Sequence, residues 1–253
     1  MMLNLQKASF VKRASAFLFD IIIFAVIAVG IAVIISSVLG YDAKVDKLED
    51  AYLQYEEKFD VDFDIKEEDY NKLTDAEKQK YEDASKAIAN DDKIAQTYNM
   101  IFNLTLVMIS LSLLITFLFM ELLIPVLLKN GQTLGKKIFG VALMRTDGVK
   151  VSFFQVFVRA ILGKYTIETM IPALIFMMFI MGSTGPTGII VIGLILLLEI
   201  IVFVATKTNS LIHDLMAVTV AVDMNTQRIF ESEDELIEYK KKKAEEAAQQ
   251  QQY

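Results

Sequence analysis

Three carboxylate side chains lie inside long apolar stretches of the sequence, where ionisable groups are rare. They are Asp20, Glu121 and Glu199. An ionised group in hydrocarbon costs about 2.5–3.5 kcal/mol on insertion scales, so each of these residues needs a partner, a shallow position or a function. The function available to acidic groups in a poorly hydrated site is to bind a proton or a small cation.

The spacing of these carboxylates from basic residues predicts that they share one depth. Glu121 and Glu199 each lie eight residues before a lysine, and Asp20 lies seven residues after Arg13 on a segment that runs the other way. At about 1.5 Å of rise per residue, each carboxylate lies roughly 10–12 Å from its basic residue. The alternative is that each one is neutral or paired with a snorkelling basic side chain and serves helix assembly.

The composition argues against a soluble enzyme. Hydrophobic residues make up 54% of the 253 residues and the mean hydropathy is +0.43, an apolar content that one water-soluble domain would struggle to cover. The chain has no cysteine and a single histidine, His213, which excludes disulfides, zinc–thiolate sites and thiol nucleophiles. We predict no catalytic residue, no cofactor, no bound metal and no nucleic-acid partner.

Four apolar segments are long enough to cross a hydrocarbon core of about 30 Å. The third and fourth are short and are separated by a stretch rich in glycine with one proline, which is typical of a turn. The main alternative to these two spans is a re-entrant hairpin. The predicted spans are 16–40, 99–128, 165–181 and 189–206, with the turn at 182–188.

The distribution of lysine and arginine predicts that both termini lie in the cytoplasm. The N-terminal segment 1–15 has three basic residues and no acidic one, and segment 129–164 has seven basic residues against one acid. Segment 207–230 also fits the inner side, so an even number of crossings must separate it from 129–164. Glu168, four residues after Lys164, is expected to form a surface pair with it.

The water-facing segments predict some regular structure. Segment 41–98 carries 18 acidic and 9 basic residues and is placed outside the cell, with a capping box at 74–77 that opens a helix and a short two-faced strand over 59–65. A calcium-loop interpretation of 60–71 fails at two structural positions.

On the inner side, runs 141–146 and 149–153 flank Asp147-Gly148, which suits a type I′ hairpin turn, and 217–222 offers a third strand. Residues 154–164 are expected to form an interfacial amphipathic helix. The charged, glutamine-rich tail 231–253 is expected to be a solvated helix or disordered.

The residues KRASAFLFD at 12–20, GQTLGKKIFG at 131–140 with Asp147-Gly148, and HDLMAVT at 213–219 resemble the RDD family of prokaryotic integral membrane proteins. The resemblance covers 5–40 and 100–223. It implies a transporter, since family members are commonly suggested to be transporters and cation/proton antiport is proposed for some. It also assigns the residues that give the family its name, which are Arg13, Asp20 and Asp214.

These observations together predict an all-α integral membrane protein with four transmembrane helices, a small cytoplasmic β-hairpin or three-stranded sheet, and an acidic, partly helical extracytoplasmic loop. We expect a multi-pass protein of the cell membrane that transports a small cation or a proton-coupled solute. Four crossings are few for a transporter without an inverted repeat, so transport would need a homo-oligomer. The alternative is a non-transporting interaction protein whose external loop or cytoplasmic tail binds a partner. The candidate proton or cation ligands are Asp20, Glu199 and Glu121, and the candidate gate or structural clasp is Arg13, Asp214 and Arg159.

Overall fold

The computed structural model describes residues 5–180, 182 and 184–250. Two compact units make up the chain. One contains the N-terminal segment up to Ala25 together with the chain from Thr116 onward, and the other runs from Val26 to Ile115. All of the candidate site residues belong to the first unit.

Helices dominate both units, and the two strands belong to the first. The helices are α1 (Phe10–Leu39), α2 (Asp42–Phe59), α3 (Glu67–Tyr70), α4 (Asp75–Ala89), α5 (Asp92–Phe117), α6 (Ile124–Leu127), α7 (Leu134–Ile138), α8 (Phe153–Phe157), α9 (Ile171–Ile180), α10 (Pro186–Ala205), α11 (Ile212–Met216) and α12 (Glu233–Gln250). Two π-helical segments join neighbouring helices, Leu118–Leu123 between α5 and α6 and Val158–Met170 between α8 and α9. The strands are β1 (Val141–Arg145) and β2 (Thr219–Asp223).

Within the described residues, three helices are long and apolar enough to cross a membrane. They are α1, the continuous helix Asp92–Leu127 and α10. They match the predicted first, second and fourth spans, and α10 begins at Pro186, three residues before the predicted start. The third predicted span, 165–181, falls on a continuous helix that starts at Phe153, so no break separates it from the interfacial helix expected over 154–164.

The sheet differs from the predicted three-stranded one. β1 pairs antiparallel with β2, in a register that matches Val141 to Asp223 and Arg145 to Thr219. The run expected at 149–153 adds only isolated bridges, because Ser152 caps α8 with its side chain and the chain turns helical at Phe153.

The turn before that run is not type I′. A type I′ turn needs positive φ at both central residues, and only Gly148 has it, with φ of 100°. The Gly148 N–H donates to the Arg145 carbonyl, which makes a type I turn followed by a glycine in the left-handed region. The predicted β-hairpin forms only as the single antiparallel bridge between Met144 and Lys150, because the strand that pairs along β1 comes more than seventy residues later.

In the second unit, the capping box prediction is confirmed and the strand prediction is wrong. The Thr74 hydroxyl accepts a hydrogen bond from the Glu77 N–H, and the Glu77 carboxylate accepts one from the Thr74 N–H, at the start of α4. No strand forms over 59–65. Instead, Phe63 packs edge-on against Tyr52 and Tyr81, at ring-centroid distances of 6.2 and 6.4 Å.

The predicted charged tail forms α12 over its described part. Leu236 and Phe230 are buried together with Val149, and Tyr239 packs against them. The helix is therefore held by an apolar contact at its N-terminal end, while its last turns are exposed.

Candidate functional site

The N-terminal end of α7 docks on α1 through Asp20. This carboxylate accepts hydrogen bonds from the Thr133 hydroxyl and, over 2.7 Å, from the Gly135 N–H. A Cβ at Gly135 would overlap the Ala16 carbonyl oxygen and lie 2.9 Å from the Asp20 carboxyl carbon. Glycine is therefore required for this close approach of the two backbones.

Two prolines shape the helices that carry the acidic residues. Pro125 and Pro172 each follow a glutamate by four residues, and proline has no N–H to donate to the carbonyl of that glutamate. Each of the two glutamates, Glu121 and Glu168, lies in one of the π-helical segments, which end just before the prolines. π-Helical turns are rare and are frequent at functional sites.

A buried ion pair joins α11 to the second π-helical segment. Arg159 donates from Nε to Asp214 Oδ1 over 2.8 Å, and the two side chains are only 8% and 0% exposed. A terminal nitrogen of Arg13 lies 3.7 Å from the other Asp214 oxygen. Burial alone would raise the pKa of Asp214, but the charge and hydrogen bond of Arg159, with a smaller contribution from Arg13, hold it below its usual range.

His213 connects this ion pair to Glu168. Its Nε2 lies 2.8 Å from an Arg159 nitrogen, and arginine can only donate, so Nε2 accepts. The proton is therefore on Nδ1, which donates to the Glu168 carboxylate over 2.7 Å. Burial, followed by the charge of Arg159, holds the pKa of His213 below its ordinary value, so the ring is neutral. Gly163 permits this packing, because a Cβ there would lie 2.5 Å from the His213 Cβ.

Two glutamates meet at the start of α11. The Ile212 N–H donates to Glu199 over 3.4 Å and the His213 N–H donates to Glu168 over 3.0 Å, while Leu211 offers no side-chain cap. The two carboxyl groups lie close enough to share a hydrogen bond when one of them carries a proton. Glu199 Oε1 is buried and accepts no hydrogen bond from the described residues.

A second charged pair lies beside the first. Lys164 Nζ lies 2.6 Å from Glu121 Oε2, and the side chains are 18% and 16% exposed. The amine of Lys136 is buried nearby without a hydrogen-bond partner among the described residues. Burial, followed by the positive charges of Arg159 and Lys164, holds the pKa of Lys136 well below its ordinary value.

The structure brings together one of the two predicted residue sets. Arg13, Arg159 and Asp214 are in contact, as the proposed clasp requires. The three predicted proton or cation ligands instead have separate partners: Asp20 contacts the start of α7, Glu121 pairs with Lys164, and Glu199 lies beside Glu168. In the described ranges, no group of three or more His, Asp or Glu side chains is arranged to hold a metal ion.

The expected surface pair of Lys164 and Glu168 is wrong. Lys164 pairs with Glu121 and Glu168 bonds to His213, so neither is a simple surface residue. His213 and Glu168 are the site residues that sequence reasoning undervalued. A signal was present, because Glu168, like Glu121, precedes a proline by four residues within an apolar segment.

Acidification is expected to destabilise the fold through His213, the only histidine in the chain. The groups that face its ring are Arg159, Asp214 and Glu168, with Lys164 farther away. Because its pKa is lowered on folding, the unfolded chain binds a proton below about pH 6.5 that the folded chain does not bind. Stability should therefore fall with decreasing pH from that value, by up to about 1.4 kcal/mol per pH unit.

Thermal unfolding of the purified chain, followed across this pH range, measures the effect. His213→Gln keeps a donor and an acceptor but does not titrate, so it should flatten the curve near pH 6. An identical pH dependence in the variant would show that another group is responsible.

Comparison with known proteins identifies the family to which the chain belongs. The model of the RDD family matches residues 7–218, which is more than four fifths of the sequence. No curated protein and no solved structure gives a match. The matched range contains Arg13, Asp20 and Asp214, the residues on which the sequence resemblance rests. This protein, with its apolar helices, is a membrane protein that belongs to the RDD family.

Proposed function

We propose that this RDD family protein is a four-span carrier of the cell membrane that couples the movement of a small cation or solute to a proton. The span that adds to the three long apolar helices is the helix that ends in α9, the third span in chain order. α9 packs against α10. Both termini lie in the cytoplasm, as the basic segments around the spans favour. Glu199 and Glu168 form the proton site, and Arg13, Arg159 and Asp214 form the inner clasp.

The observation that carries this proposal is the charge count of the buried network. Three carboxyl groups, those of Asp214, Glu168 and Glu199, lie with two guanidinium groups, those of Arg13 and Arg159, and a neutral imidazole. The network is one negative charge in excess when every carboxyl group is ionised. One proton or one monovalent cation neutralises it, and a low-dielectric site favours neutrality.

The buried Glu199 oxygen without a hydrogen-bond partner indicates that the proton or cation binds at Glu199. Buried polar atoms are nearly always hydrogen-bonded, so an orphan acceptor indicates a missing donor or cation. A proton on the Glu199 carboxyl group would donate to the adjacent Glu168 carboxylate. Loss of that proton would leave two adjacent carboxylates, whose repulsion favours entry of a cation or movement of a helix.

The clasp gives the proposed carrier a way to link protonation to opening. Glu168 contacts His213, and His213 contacts Arg159, which holds Asp214. A change of charge at the glutamates thus reaches the ion pair through two hydrogen bonds. Rearrangement of such interface pairs is a known way to switch between two conformations.

Proton flux in proteoliposomes tests the proposal. The full chain is reconstituted with a pH-sensitive dye inside, and gradients of Na⁺, K⁺ or Li⁺ are applied in turn. We expect at least one gradient to drive proton movement, and Glu199→Gln to slow it at least about tenfold, because the proton-binding group is lost. Glu49→Gln, on the exposed face of α2, is the matched control and should leave the rate unchanged.

Absence of wild-type flux with every cation would overturn the transport proposal. That result would favour the interaction protein, in which the buried charges only specify helix packing. Equal flux in wild type and Glu199→Gln would retain transport but reject Glu199 as the proton site.

A further inference from the structure

A cavity of about 200 Å³ lies just beyond the last helical residue of the second span. Its walls are largely apolar and include Pro125, Val126 and Val156. Two lysines, Lys129 and Lys150, also line it. The cavity therefore combines an apolar wall with positive charge at the place where a membrane-spanning helix ends.

The two lysines are available to an anion to different degrees. The Lys129 side chain is exposed and forms no hydrogen bond or ion pair with the described residues. Lys150 lies 2.6 Å from Glu231, whose side chain is 74% exposed. The Lys150 side chain is 20% exposed, but the exposed Glu231 end keeps the pair weak, so an incoming anion can compete with Glu231.

The surroundings of the cavity are apolar and exposed. Phe153 lines the cavity and is 63% exposed, while its neighbour Phe154 is 70% exposed. Leu127, the last residue of α6, is 66% exposed. Aromatic and aliphatic side chains of this kind, next to lysines at the end of a span, are typical of the membrane interface.

We propose that this cavity binds the phosphate head group of an anionic phospholipid, with the acyl chains lying over Leu127, Phe153 and Phe154. Lys129 and Lys150 supply the charge complementarity, and the apolar wall excludes water from the phosphate. A free phosphate ion would use the lysines but gain nothing from the exposed phenylalanines, so the surface fits a lipid better than an ion. The site is independent of transport, because none of its residues belongs to the buried charge network.

Lipid binding to the purified full-length chain, measured by native mass spectrometry, tests the proposal. The probes are phosphatidylglycerol and phosphatidylcholine with the same acyl chains. We expect phosphatidylglycerol to bind more tightly, and Lys129→Gln or Lys150→Gln to weaken its binding about fivefold each. Glu231→Gln should tighten it severalfold, because it frees Lys150.

Tighter binding in Glu231→Gln is the opposite of the weaker binding expected if the folded site were lost. Lys137→Gln is the matched control, since this exposed lysine lies in the same basic segment but outside the cavity. The proposal is overturned if the two lipids bind equally or if Lys137→Gln weakens binding as much as Lys129→Gln. Displacement of the lipid by inorganic phosphate alone would also overturn it, in favour of a free-phosphate site.

Discussion

Asp214→Asn is expected to destabilise the folded chain by about 3–5 kcal/mol. The substitution keeps the shape of the side chain but removes the negative charge that lies between Arg159 and Arg13. Because Asp214 is fully buried and Arg159 nearly so, water cannot compensate the two guanidinium groups. Thermal unfolding of the purified chain in lipid or detergent would show a large decrease in the midpoint.

A double variant separates loss of the pair from loss of one partner. Arg159→Leu together with Asp214→Leu should be less damaging than Asp214→Asn alone, since it leaves fewer unpaired buried charges. Asp69→Asn is the control for the chemical change, because Asp69 forms an exposed pair with Lys72 and its substitution should cost less than about 1 kcal/mol. A cost of Asp214→Asn no greater than that of Asp69→Asn would contradict a buried clasp.

Gly135→Ala is expected to cost about 3 kcal/mol. The added methyl group would collide with the Ala16 backbone, and α7 would have to withdraw from α1. Withdrawal would also remove the hydrogen bonds that Thr133 and Gly135 donate to the Asp20 carboxylate, and bonds to a charged group contribute about 1.5–3 kcal/mol. The loss should appear in the same unfolding measurement.

Gly193→Ala provides the comparison for this substitution. Gly193 lies within α10 and has nothing within 4 Å of an added Cβ, so alanine should leave stability unchanged or raise it slightly. If Gly135→Ala behaved like Gly193→Ala, the close docking of α7 on α1 would be wrong. Asp20 would then have no structural partner in α7.

The three long apolar helices α1, Asp92–Leu127 and α10 could be predicted from the sequence, because each is a long apolar run with few charges. The pairing of the strands could not be predicted, because β1 pairs with β2 and several helices, α8 to α11, lie between the two strands in the sequence. Local turn chemistry at Asp147-Gly148 predicted a hairpin, yet Ser152 starts a helix before a second strand can form. The main partner of β1 is therefore the distant strand β2 and not the neighbouring run 149–153.

The π-helical segment explains why the α-helical spacing of Lys164 and Glu168 led to a wrong prediction for Glu168. Arg159 and Glu168 are nine residues apart, which is two and a half turns of an α-helix with about 3.6 residues per turn. They would then point in opposite directions, but both contact His213. The π-helical backbone of this segment has more residues per turn and brings them to one face. Residue types alone could not predict this change of period.

The carboxylates predicted at a common depth illustrate the same limit. Asp20 and Glu121 are stabilised by partners that come from elsewhere in the sequence, the start of α7 and Lys164. Of the three, only Glu199 has a buried oxygen that lacks both a hydrogen bond and an ion pair among the described residues, since Glu121 Oε2 lies beside Lys164. The choice of partner for each carboxylate depends on tertiary packing, which the spacing along the sequence does not reveal.

Infrared difference spectroscopy of the protein in lipid tests the proposed proton site most directly. We expect a protonated carboxyl group at neutral pH, seen as a carboxylic-acid carbonyl band that is lost in Glu199→Gln. Glu121→Gln should retain the band, because Glu121 is ionised beside Lys164. A wild-type spectrum without such a band, or a band that persists in Glu199→Gln, would contradict a proton held between Glu168 and Glu199.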